Sequence, residues 1–126
     1  MKKKVLCVCV KNTCRSVMMA EFLKKELGDE FIVESAGVCE RCTGRPAGEY
    51  VIYCMKEKGV DISGHESRHA GDLNLSLYSH IVCADGVELD PMVLFLSGFK
   101  GEVITMDDSM PDPRGAGLLV HQARRG

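Results

Sequence analysis

Two periodicities of apolar positions alternate along the chain. Val5-Leu6-Cys7-Val8-Cys9-Val10 is an unbroken apolar run, the pattern of a strand buried on both faces. From Ser16 the spacing becomes helical, with Met18, Met19, Phe22, Leu23 and Leu27 in one stripe and Gly28 as its end. Phe31 to Ser35 predicts a second strand, and 36–46 a loop. Glu49 to Lys58 predicts a helix stopped by Gly59, with Cys54 on its inner stripe. Leu73 to Tyr78 predicts a short helix and His80 to Ala84 a third strand. Val87 to Leu96 predicts a further helix with Pro91 in its first turns, and Glu102 to Met106 a fourth strand. This alternation implies one α/β domain over residues 1–126, a four-stranded parallel sheet with helices on both faces. Ligands of such sheets bind beyond the carboxyl ends of the strands, so the turn after the first strand is the place to look.

Composition narrows the classes. The chain has 126 residues, 45% of them apolar, enough for a core without disulfides or metal. A formal net charge of -2 gives no bulk-charge basis for binding nucleic acid. The apolar run behind Met1-Lys2-Lys3-Lys4 is too short for a signal peptide or a membrane span, so an intracellular, cytoplasmic protein is expected. Seven cysteines, at 7, 9, 14, 39, 42, 54 and 83, are an odd number without a secretion signal. That argues for reduced thiols rather than a disulfide framework.

The first turn reads Cys9-Val10-Lys11-Asn12-Thr13-Cys14-Arg15-Ser16. A cysteine, five residues and an arginine between a buried strand and a helix make a coherent oxyanion cradle. Backbone N–H groups of residues 10–15 can converge on one anion, and the helix adds its positive end. The same field stabilises a thiolate, which makes Cys9 a competent nucleophile. Arg15 stays charged and can grip two oxygens at once. Asp112, fixed by Pro113, is placed to protonate a leaving group and then activate water. Asp107 and Asp108 are rivals read as solvated acids, and Asp90-Pro91 is read as a helix cap.

Cys9 to Ser16 resembles the phosphate loop of the low-molecular-weight protein tyrosine phosphatase family. Further marks follow in order: Glu34-Ser35-Ala36-Gly37, Gly59 to His65, Ile81 to Asp85 and Asp112-Pro113. The resemblance implies Cys9 as nucleophile, Arg15 as phosphate ligand and Asp112 as general acid. It implies that Asn12, Ser16, Ser35 and His65 hold the loop in shape, with Asn12 in a left-handed conformation that Asn tolerates. It also implies hydrolysis of phosphotyrosine-type substrates through a phosphocysteine, with no metal or organic cofactor. The substrate would be a phosphorylated protein or a small phosphoester. Cys14 either packs or, by resemblance, forms a reversible disulfide with Cys9, which brings in a thioredoxin-type reductant.

Departures from the family redirect the substrate. Lys11 stands where the family has Gly, and Val17 where it has Pro. No aromatic residue follows Ser35-Ala36-Gly37 or Asp112-Pro113, so both expected aromatic walls are missing, each a stacking partner of about 0.5–1.5 kcal/mol. Thr13 matches related phosphoarginine phosphatases. Leu118 to Gly126 resembles only the start of the family's last helix, so a shortened helix is expected.

Two alternatives stand beside hydrolysis. A thiol-coupled arsenate reductase shares the loop but relays a disulfide through two more cysteines. Cys83 falls near the first such place, and no cysteine stands at the second, around Asp90. Arg68 occupies a position where the phosphatases carry Arg. The other alternative is a non-catalytic phosphate-binding module. Cys39-x-x-Cys42, a single pair without a nearby His, does not complete a metal site and reads as loop thiols without a fixed partner. His69, His80 and His121 show no partner, and exposure is expected for them.

Overall fold

A computed structural model describes residues 2–84 and 86–106 of the chain. Strands β1 (Lys3–Cys9), β2 (Phe31–Gly37), β3 (His80–Ala84) and β4 (Glu102–Met106) alternate with helices α1 (Arg15–Leu27), α2 (Glu49–Glu57) and α3 (Pro91–Leu96). They form one parallel sheet in the order β2-β1-β3-β4. The chain leaves β1 in one direction to reach β2 and then passes to its other side for β3 and β4. Right-handed crossovers therefore put α1 on one face and α3 on the other. The reversal makes the carboxyl end of β1 a topological switch point, where an α/β sheet opens a crevice.

The apolar run of β1 is buried as its composition requires. Val5, Leu6, Cys7 and Val8 have no exposed surface, and they pack with Ile81, Val82 and Cys83 of β3 and Leu23 and Leu27 of α1. Each such aliphatic side chain contributes about 1.5–3 kcal/mol by leaving water. A second cluster joins Val17 of α1 to Ala47, Val51, Met55 and Ile62.

That second cluster corrects the predicted helix stripe. α1 buries Ser16, Val17, Met19, Ala20, Leu23 and Leu27, whereas Phe22 is exposed. Packing against both the sheet and the Ala47–Ile62 segment turns the buried arc toward Val17 and Ala20. β2 runs on to Gly37, and a 3-10 turn, Glu40–Cys42, lies in the predicted loop. α2 buries Val51 and Met55, while Cys54 is half-buried rather than core. The helix predicted at Leu73–Tyr78 is reduced to a 3-10 turn, Leu75–Leu77. α3 begins only at Pro91, because Asp90 caps it by accepting from the Met92 N–H at 2.9 Å.

His80 also departs from expectation. It is buried at the amino end of β3, with Nδ1 2.8 Å from Ser79 Oγ and Nε2 3.8 Å from the Glu102 carboxylate. That is the sheet edge opposite the switch point. His69 is half-buried, and its Nδ1 accepts from the Gly71 N–H.

Candidate functional site

The segment from Cys9 to Ser16 leaves β1 at the switch point and enters α1. Its shape is set from outside, through its carbonyls. Val10 O accepts from the N–H groups of Val38 and Cys39, both at 2.9 Å. Asn12 O accepts from His65 Nε2 at 2.7 Å, and Thr13 O from the Gly48 N–H at 2.9 Å. Cys14 O accepts from the Met18 N–H as the first bond of α1. A trans peptide points its N–H opposite to its C=O. Turning these carbonyls outward therefore turns the N–H groups of Lys11, Thr13, Cys14 and Arg15 the other way. That is the arrangement of an anion cradle.

Asn12 is the keystone. It has no exposed surface and a φ of 58°, the left-handed conformation expected of it. Its Nδ2 donates to Ser16 Oγ at 2.8 Å and to Ser35 Oγ at 3.0 Å, and its Oδ1 accepts from the Arg68 N–H at 3.0 Å. Its own N–H donates to Cys9 Sγ at 3.2 Å. Cys9 Sγ also lies 3.0 Å from Ser16 Oγ. That oxygen accepts from both the Cys9 thiol and Asn12 Nδ2. Cys9 Sγ thus meets an N–H donor and a hydroxyl in a buried place at the base of the loop.

Gly37 allows the loop to sit this close to β2. A Cβ there would lie 2.6 Å from Val10 O, and the Gly37 N–H reaches Arg68 O at 2.8 Å. Arg68 in turn donates from Nε to Ser35 O at 2.9 Å, and its Nη2 lies 3.6 Å from Glu34. Glu34 also pairs with Lys4 at 3.3 Å and accepts from the Tyr78 hydroxyl. Burial alone would raise the Glu34 carboxyl, but Tyr78, Lys4 and Arg68 outweigh it and hold the group below its usual range. No motif or short-range signal in the sequence marks Tyr78 or Lys4 for this role. A polar cavity of about 240 Å³ is lined by Ser35, Asp61, His65 and Lys24 among others.

The other expected site residues fall as follows. Lys11 is exposed on the loop, Thr13 is half-buried and Val10 is partly exposed. Cys14 is exposed at the residue before α1, and Arg15 is half-buried at its first position. Asp112, with Asp107, Asp108, Arg114 and His121, lies outside the described residues. Cys39 and Cys42 are not loop thiols without a partner. They form a disulfide across the Glu40–Cys42 turn, since a Cys-x-x-Cys turn brings their Cα atoms to 5.5 Å, inside the range a disulfide spans. Cys83 is buried in β3 in register with Val8, so it faces the side of the sheet opposite to Cys7 and Cys9. Among the described residues, no group of three or more His, Cys, Asp or Glu is placed to hold a metal ion, and no helix is long and apolar enough to cross a membrane.

Comparison with known proteins supplies independent findings. The sequence profile of the low molecular weight phosphotyrosine protein phosphatase family matches residues 4–116. A glutaredoxin arsenate reductase of Synechocystis sp. is 33% identical over 126 residues, covering 98% of this chain and 88% of its own. A protein-arginine-phosphatase of Geobacillus stearothermophilus is 28% identical over 132 residues, covering 99% and 88%. Among solved structures, an arsenate reductase in its phosphate-binding state superposes with a TM-score of 0.65 at 30% identity, over 95% of this chain and 86% of that one.

Proposed function

The chain belongs to the low molecular weight phosphotyrosine protein phosphatase family, and from that membership we propose that it is a thiol-coupled arsenate reductase. The observation that carries the reading is the Cys9 sulfur held by Asn12 N–H and beside Ser16 Oγ at the base of the cradle. That geometry suits attack on a tetrahedral oxyanion and a covalent sulfur adduct. Arsenate is such an oxyanion, and the glutaredoxin arsenate reductase, similar over nearly the full chain, favours it over a phosphoester. Hydrolysis, the first expectation from the sequence, becomes the second reading because more of the relatives are arsenate reductases.

The chemistry runs through Cys9. Its thiolate attacks arsenic and displaces an oxygen as water, giving a sulfur–arsenic(V) bond. Loop N–H groups and Arg15 hold the remaining oxygens. A second thiol then attacks Cys9 Sγ. The sulfur–arsenic bond breaks with its electron pair on arsenic, arsenite leaves, and two thiols have become one disulfide. A protein dithiol reductant restores them.

Phosphomonoester or phosphoarginine hydrolysis is the second reading. The Geobacillus relative favours it, as do Arg68, anchored to Glu34 and Ser35, and the Asp112-Pro113 pair of the sequence. In that reaction Asp112 protonates the leaving group and water then cleaves the phosphocysteine. The deciding experiment offers reduced protein arsenate with thioredoxin or glutaredoxin and p-nitrophenyl phosphate separately. Arsenite formation that disappears in Cys9→Ser supports reduction. Hydrolysis without arsenite, reduced in Asp112→Asn, overturns it in favour of the second reading.

A further inference from the structure

The relay thiols that a reductase needs are not supplied by the sheet. Cys83 has 1% of its surface exposed and sits in register with Val8, on the face away from Cys9. Cys7 shares the face of Cys9 but has no exposed surface and lies two residues deeper in β1. Neither can meet both the Cys9 sulfur and a reductant from solution.

The Cys39–Cys42 pair stands beside the loop instead. It follows directly on β2, whose last residue Gly37 is in register with Cys9. The Val38 N–H donates to Cys9 O at 3.1 Å and to Val10 O at 2.9 Å, and the Cys39 N–H donates to Val10 O at 2.9 Å. Cys39 is thus held to the residue after the nucleophile, about one strand spacing (roughly 4.8 Å) away. On the far side, Ser67 Oγ donates to Cys42 O and the Gly44 N–H to Ser67 O, which clamps the turn in place. Cys39 is half-buried and Cys42 buried, so Cys39 is the more open of the two.

We propose that Cys39 and Cys42 are the relay dithiol of this protein, with Cys39 as the thiol that attacks Cys9 Sγ. This rests on the arsenate-reductase reading and adds the residues that reading lacks. Cys39 thiolate breaks the Cys9 sulfur–arsenic bond, arsenite departs with the electron pair, and a Cys9–Cys39 disulfide forms. Cys42 thiolate then attacks Cys39 Sγ, releases Cys9 as thiolate and closes the Cys39–Cys42 disulfide, the state seen here. One arsenate and two thiols yield one arsenite, one disulfide and one water. A dithiol protein reductant then opens the pair at Cys39, the more open residue of the two.

The test is a single turnover of the full chain, reduced, stripped of reductant and mixed anaerobically with one equivalent of arsenate. Arsenite is quantified, disulfides are mapped by mass spectrometry, and inorganic phosphate binding by calorimetry checks that each variant retains the cradle. Wild type should give one arsenite per chain and end as Cys39–Cys42. Cys42→Ser should give one arsenite and accumulate a Cys9–Cys39 disulfide. Cys39→Ser should bind phosphate yet lose arsenite formation by about 100-fold or more. Arsenite formed at the wild-type rate by Cys39→Ser, or a trapped disulfide of Cys9 with Cys14 or Cys83, overturns the relay while leaving the reductase reading intact. Wild type that binds phosphate but makes no arsenite overturns the reading itself, and the relay with it.

Discussion

Cys7 and Cys9 lie two residues apart on the same face of the same strand, and their surroundings are opposite. Cys7 is enclosed by the apolar core, and burial pushes its thiol far above the ordinary value of 9.0, with Lys24 offsetting only part. Cys83 on the other face is likewise raised by burial. Cys9 is as buried as they are, yet it stands where the strand ends and the hydrogen-bonding partners of the loop begin. Burial alone keeps a thiol protonated; the fixed partners at the strand end are what the proposed nucleophile role of Cys9 rests on. One turn away, Cys39 and Cys42 are paired with each other, Cys39 half-buried and Cys42 buried.

The hardest blow to this comparison is Cys9→Ser. Turnover of arsenate or of p-nitrophenyl phosphate should vanish, while phosphate binding by calorimetry survives, since the cradle is made of backbone. Retained turnover would mean that the sulfur environment at the strand end is incidental.

Next in size is Asn12→Ala. It removes the Nδ2 and Oδ1 contacts to Ser16, Ser35 and Arg68 and places alanine at a φ of 58°. A loss of about 2–4 kcal/mol is expected in urea unfolding, because buried partners are left unpaired. Turnover should fall about 100-fold, the usual consequence of a misplaced reacting group. Asn12→Gly, which relieves only the backbone, should recover part of the stability and little of the rate. Equal rescue of both would assign the role to conformation alone.

The buried thiols sharpen the other side. Above pH 9 the unfolded chain ionises thiols that the folded protein keeps protonated at Cys7 and Cys83. The unfolded state then binds fewer protons, so their contribution is fully present below pH 9 and is lost as pH rises toward the folded values. Replacing both with Val should flatten the alkaline fall in urea-unfolding stability, whereas an unchanged slope would contradict the raised thiols. Iodoacetamide should spare Cys7 and Cys83 in the native protein.

The smallest expected effect concerns the scaffold. Glu34 is held below its usual value of 4.5, so its contribution is present above that pH and is lost as pH falls through the depressed folded value. Glu34→Gln should cost about 1 kcal/mol near neutrality, the size of one charged hydrogen bond at a partly open site, and should remove part of the acid-side loss. An acid limb identical to wild type would mean that Arg68 holds Asn12 without help from Glu34.

Read from sequence alone, the alternation of strand and helix, the parallel sheet and the loop between Cys9 and Ser16 were already legible. They rest on local periodicity, on a buried apolar run and on residue types within eight consecutive positions. The same locality explains the errors. The stripe of α1 was placed one step off because the second cluster, built from residues 47–62, was invisible from the helix itself. His80 was expected to be exposed, because its burial depends on where β1 and β4 flank it. Cys39 and Cys42 show no partner in the sequence, because pairing depends on the turn between them, which spacing does not dictate. The loop's supports lie beyond local reach as well. His65 and Arg68 stand 53 and 56 residues from Asn12, and strand register together with the crossover past β1 brings them to it. The proposal of Cys9 at an anion cradle is local, since it needs only a strand, a loop and a helix in succession. Tertiary structure decided which groups hold the cradle rigid and which cysteines stand beside it, because those contacts exist only once distant strands share one sheet edge.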